Sequence, residues 1–173
     1  MKIANGIWVS STATAIASRV SYLGGNDIES WGTPGPAESW ADGWDGTTTG
    51  LYLNFGSADG CPSGSANNGT CNNGYTQYDY FKLSWGNPNA IVEPQIYFYP
   101  SGNDVQAQQW KQICLYGHNT QGKTIQFQGP LTEYYADSTS DNPGTSWSQL
   151  WNQLNGTACA QTPLFETSMK WQS

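Results

Sequence analysis

Gly24-Gly25-Asn26-Asp27-Ile28-Glu29-Ser30-Trp31-Gly32-Thr33-Pro34-Gly35-Pro36-Ala37-Glu38-Ser39-Trp40-Ala41-Asp42-Gly43-Trp44-Asp45-Gly46 is the stretch whose reading decides the fold. Residues 26–29 read as a short strand or strand end. Thr33-Pro34-Gly35-Pro36 then leads into a helix, with proline suited to a first turn where its missing N–H costs nothing. Ala37, Trp40, Ala41 and Trp44 recur at i, i+3, i+4 and i+7, one helical face, and Asp45-Gly46 closes it. Leu51-Tyr52-Leu53-Asn54-Phe55 follows with strand alternation, Leu51, Leu53 and Phe55 sharing one side. Strand, helix, strand in that order argues for a parallel pair.

Upstream, residues 3–9 contain a β-type run, and Ala13, Ile16, Ala17 and Val20 mark a helical face that Gly24-Gly25 ends. Met1-Lys2 and Ala15-Ile16-Ala17 imitate a signal peptide. Asn5 and Gly6 interrupt its apolar region, so the segment is read as structure and an export signal as absent. Downstream, residues 57–75 form a long Gly-, Asn- and Ser-rich loop, the kind that is usually functional or an insert. Strands are expected at 80–85, 95–98 and 124–127, and a helix at 104–117. A last helix carries Trp147, Leu150, Trp151 and Leu154, capped by Ser146 or Thr145.

The expectation is one α/β domain over residues 1–173. Its form is a partial (β/α) barrel or an open, mostly parallel sheet with flanking helices. A complete (β/α)8 barrel needs about 250 residues, and this chain supplies roughly five of eight units. The unpaired sheet edges this leaves make a homodimer plausible.

Composition narrows the function. The 173 residues include nine Trp and ten Tyr, only 11% are charged, and the net charge is −7. Lys2, Arg19, Lys82, Lys111, Lys123 and Lys170 are scattered, so no cationic cluster exists to release counterions from nucleic acid or to hold an anionic membrane. No apolar run reaches the ~18 residues of a membrane span. His118 is the only histidine, no zinc spacing exists, and neither metal nor cofactor is expected. Four cysteines in such a composition favour disulfides and a secreted, extracellular protein. Of three possible pairings, Cys61–Cys71 with Cys114–Cys159 is preferred, the first closing a small Gly/Asn loop and the second tying a helix to the C-terminal segment.

Several runs resemble a group of secreted actinobacterial-type proteins with a glycosidase-like barrel. These are Gly25-Asn26-Asp27-Ile28-Glu29, Ser39-Trp40-Ala41-Asp42-Gly43, the stretch from Tyr52 through Asn54-Phe55-Gly56 to Asp59-Gly60-Cys61-Pro62, Cys71-Asn72-Asn73-Gly74, Ser84-Trp85-Gly86, Gln95-Ile96-Tyr97 and Trp147-Ser148-Gln149-Leu150. The likeness covers most of the chain, which resembles the second half of such a barrel. The Asp27-Ile28-Glu29 run is also similar to the Asp-x-Glu of lysozyme-type barrels of glycoside-hydrolase family 25. That resemblance implies a glycoside hydrolase acting on a polysaccharide, with Glu29 as proton donor and Asp27 as stabiliser or nucleophile-like partner. Residues i and i+2 of a strand share a face, so both carboxyls can meet one cleft, and glycosidic cleavage needs two. Trp31, Tyr52, Asn54, Asp59, Trp85 and Tyr97 are the expected substrate-binding set, since aromatic faces stack on sugars while polar tips bond hydroxyls. The related proteins often carry an acid where Gln95 stands. The alternative is a non-catalytic carbohydrate-binding or structural barrel fragment.

Overall fold

A computed structural model describes residues 23–29, 32–47, 50–97, 104–137 and 139–169. Within them the chain alternates strand and helix: β1 (Gly24–Asn26), α1 (Pro34–Asp45), β2 (Tyr52–Asn54), α2 (Gln77–Phe81), β3 (Ala90–Val92), α3 (Val105–Tyr116), β4 (Leu131–Thr132), α4 (Pro143–Leu154) and β5 (Thr167–Ser168). A π-helical stretch extends α2 over Lys82–Gly86, and another extends α3 over Gly117–Gln121.

The strands β1, β2 and β3 are parallel, with Asn26 beside Asn54 and Asn54 beside Val92. Parallel bridges from Val92 to Phe127 and from Gln95 to Leu131 carry the series on to β4, which pairs in parallel with β5. Spatial order thus equals chain order, each step crossing over through one helix. The fold is α/β, and among the described residues the sheet is open and closes no barrel. Helix α2 packs on α3, and α3 on α4. Trp110, Ile113, Leu150 and Leu154 from α3 and α4 are fully buried with Val92, Ile96 and Ile125.

Local causes differ from the sequence reading in four places. The strand expected at residues 26–29 is β1 over Gly24–Asn26, so Gly24 and Gly25 lie within it. A Cβ at Gly24 would overlap the Trp44 ring, and one at Gly25 would meet Phe55, so glycine lets α1 and β2 pack close over the strand. Residues 80–85 are helical rather than extended. Thr76 starts α2 with a capping box: its hydroxyl accepts from Asp79 N, and the Asp79 carboxylate accepts from Thr76 N at 2.7 Å. Among the described residues, the expected strands at 95–98 and 124–127 show single bridges at Gln95 and Phe127, and the ladder itself sits at β3 and β4. Finally, Asn142 caps α4 by accepting from Thr145 N at 3.0 Å, while Ser146 is buried and donates to Ile96 O at 2.6 Å. The expected strand over 3–9 and helix at 13–20 lie outside the described residues.

Both expected disulfides are present, Cys61–Cys71 and Cys114–Cys159. No helix among the described residues is long and apolar enough to cross a membrane.

Candidate functional site

In a parallel sheet every strand delivers its C-terminal end to the same side, and the segments that follow meet there. Asp27-Ile28-Glu29 leaves β1, Phe55-Gly56-Ser57 leaves β2, Glu93 to Tyr97 leaves β3, and Glu133 leaves β4. Four carboxyl groups therefore converge, of which Glu93 and Glu133 are not among the expected site residues. Locating Glu133 requires knowing that β4 ends at Thr132, and no alternating pattern marks that two-residue strand.

Asp27 is fixed from the neighbouring strand end. Gln95, only 2% exposed, donates from Nε2 to Asp27 Oδ1 at 2.8 Å, and its own N–H donates to Gly56 O at 3.1 Å. Asp27 keeps an open face, yet crowding by surrounding protein removes enough hydration to push its carboxyl up to about 6. The Glu29 charge is the next cause and Glu133 adds to it, while the Gln95 bond pulls the other way. Glu133 is likewise raised, first by burial and then by Glu29 and Asp137. Glu93 is raised by burial, opposed by Thr167, whose hydroxyl donates to it at 2.5 Å. Tyr97 faces the same charges: burial, then Glu133, Asp27, Glu29 and Glu93, all hold its phenol in the protonated form. Its buried hydroxyl has no hydrogen-bond partner among the described residues.

An open cleft of about 230 Å³ lies between the β1 end and the start of α1, lined by Asp27, Glu29, Gly32, Thr33, Pro36, Trp40 and Tyr75. A larger one of about 280 Å³, lined by Asp42, Asp45, Lys82, Asn87 and Lys123 among others, lies by the end of α1 and the turn into β3. That side holds the strand starts. The smaller cleft is the candidate site, because it alone adjoins the crowded carboxyls.

The expected substrate-binding residues fall into three groups. Tyr97 stands with Asp27 and Glu29. Tyr52 and Asn54 are corrections: both are wholly buried, Tyr52 donating to Leu83 O at 2.8 Å and Asn54 to Ser84 Oγ at 2.8 Å, so neither side chain can reach a ligand. They hold β2 to the α2 extension instead. Trp85 packs half-buried against the core just ahead of the turn into β3, away from the strand C-terminal ends. Asp59 is exposed in the turn entering the disulfide loop. Trp31 lies outside the described residues. Trp40, assigned to the core by its helical spacing, does stack on Trp44 at 5.8 Å but also lines the cleft. His118 is exposed at the end of the α3 extension, bonded to Thr124 Oγ1 at 2.9 Å. No group of three or more His, Cys, Asp or Glu able to hold a metal ion is found among the described residues.

Gly56 sets the position of the Asp-x-Glu segment. A Cβ there would overlap the Ile28 carbonyl, which lies between the two acids. Backbone cannot yield as a flexible side chain can, so Gly56→Ala is expected to cost roughly 1–3 kcal/mol of stability through overpacking. Thermal unfolding should register a fall of several degrees. An unchanged midpoint would show that the segment moves freely.

Asp27 also makes stability depend on pH. Its folded-state affinity for a proton exceeds the unfolded one, so between about pH 4 and 6 the native state binds more protons and loses stability as pH rises. Asp27→Asn is expected to melt higher than the parent at pH 7, with that advantage shrinking toward pH 4. Equal differences at both pH values would contradict the raised carboxyl.

Compared with family models, curated protein sequences and solved structures, the chain matches none.

Proposed function

We propose that this protein is a secreted glycoside hydrolase that cleaves a polysaccharide, with Asp27 and Glu29 as its acid/base pair. The observation that carries this reading is Asp27 at a strand C-terminal end beside an open cleft, its carboxyl pushed up to about 6 first by burial and then by the Glu29 charge. Hydrolysis of a glycosidic bond requires one carboxyl to protonate the leaving oxygen. A second, ionised carboxyl either stabilises or captures the anomeric carbon, or takes a proton from the attacking water. An Asp27 that holds its proton beside a second carboxyl supplies both kinds of group. The resemblance puts the donated proton on Glu29, while burial and repulsion keep one on Asp27 in the free protein. Gln95 orients Asp27, and Trp40 lines the cleft as an aromatic that could meet a sugar.

Two disulfides suit an oxidising, extracellular compartment, and they support the secreted assignment. Glycan binding without cleavage is the second reading, favoured by the amide of Gln95 standing where the resembling proteins often carry an acid.

The test is release of reducing ends from soluble β-glucan, xylan, chitin oligosaccharides and peptidoglycan at pH 5. Cleavage of any one of them supports the hydrolase. Retention on a glycan without cleavage supports the second reading.

A further inference from the structure

Immediately after Glu133 the chain exposes two aromatic rings on one turn. Tyr134 is 37% and Tyr135 64% accessible, and their rings meet edge to face at 5.5 Å. The turn that carries them is held from several directions. Ala136 N and Asp137 N both donate to Glu133 O at 2.7 Å, Tyr134 N donates to Thr132 Oγ1 at 3.4 Å, and Tyr135 N donates to Ser168 Oγ at 3.2 Å. Thr139 further pins Asp137 through its N–H and hydroxyl, both at 2.9 Å. The rings are therefore presented on fixed backbone, so little of the ordering cost falls on binding. They follow directly on Glu133, whose charge interacts with that of Glu29, and so lie at the same end of the sheet as the candidate cleft.

Charge narrows what can lie there. Asp27, Glu29, Glu93 and Glu133 occupy this end. The described lysines are placed elsewhere: Lys82 pairs with Glu38 and Asp42, Lys111 donates to Gln153, and Lys123 lines the other cavity. A uronate or phosphorylated glycan would meet repulsion with no compensating cation among the described residues.

From the pinned ring pair and the acidic surroundings we infer that Tyr134 and Tyr135 form a sugar-stacking subsite that extends the Asp27–Glu29 cleft and takes an uncharged glycan. The inference rests on the proposed glycan-cleaving site for its neighbour, but stacking itself needs no catalysis.

The experiment is calorimetric titration of Glu29→Gln protein, which leaves the probe intact, with cello-oligosaccharide, chito-oligosaccharide and oligogalacturonate. Binding of a neutral probe is expected, with the anionic one bound at least tenfold more weakly. Adding Tyr135→Ala should weaken neutral binding about five- to tenfold, the usual worth of one aromatic contact, and Tyr135→Trp should restore it. Both positions are exposed, so an unchanged melting temperature will show that folding is intact. Equal affinity with and without the Tyr135 ring, no binding of either neutral probe, or equally tight oligogalacturonate overturns the subsite. Hydrolysis by the parent protein is read separately. Tyr135-dependent binding without any cleavage would uphold the subsite while removing the enzyme reading.

Discussion

Glu29→Gln is expected to lower glycan hydrolysis by about 10³-fold, within the range that loss of a positioned acid/base group produces, while changing glycan affinity less than twofold. The amide keeps the shape of the side chain and removes its ability to exchange a proton. Asp27→Asn should cost a similar factor, because cleavage needs both a carboxyl that protonates the leaving oxygen and a second that assists at the anomeric carbon or takes a proton from water. The two losses will not add: once one member is gone the other has no partner, so the double variant should be no slower than the worse single one. Reducing-end release under saturating substrate checks the rate, and calorimetry checks affinity. A Glu29→Gln protein that hydrolyses at the parent rate would remove the pair from the mechanism.

The other large effect concerns stability. Cys114 on α3 and Cys159 beyond α4 are both fully buried, and their bond closes a 45-residue span. Replacing both by alanine frees that loop in the unfolded chain, at about 4 kcal/mol on the loop-entropy scale. For a domain of this size the melting temperature should fall by roughly 10 °C. The Cys61–Cys71 bridge spans only ten residues and should contribute less. Thermal melts of both double-alanine variants compare them directly. A larger fall for the Cys61–Cys71 variant would reverse the ranking.

The sequence made the α/β alternation legible because α1, α3 and α4 carry apolar residues at helical spacing, and turns such as Gly86-Asn87-Pro88-Asn89 are marked by Gly, Asn and Pro. Its failures have specific causes. The residues of β1 are Gly, Gly and Asn, types depleted in strands, so the strand is hard to see in the sequence. They become a strand because Trp44 and Phe55 need the space that side chains would fill. Residues 80–85 alternate in hydrophobicity, yet the Thr76–Asp79 capping box starts a helix ahead of them, and a local cap outweighs a short alternating run. The strands β4 and β5 are two residues long, too short to show any period. The same limits shaped the site. Asp27 and Glu29 were visible as a pair with i, i+2 spacing. Glu133, Tyr134 and Tyr135 were hidden because their place follows from β4. Tyr52 and Asn54 share a face of β2, but it is the buried face, which alternation alone does not identify.

The rate of glycan cleavage by the parent protein as a function of pH tests the acid/base pair most directly. Reducing-end release is expected to be high near pH 5 and to fall tenfold per pH unit once Asp27 loses its proton, above about pH 6. Cleavage that stays level from pH 5 to pH 8, or no cleavage of any glycan at any pH, would contradict it.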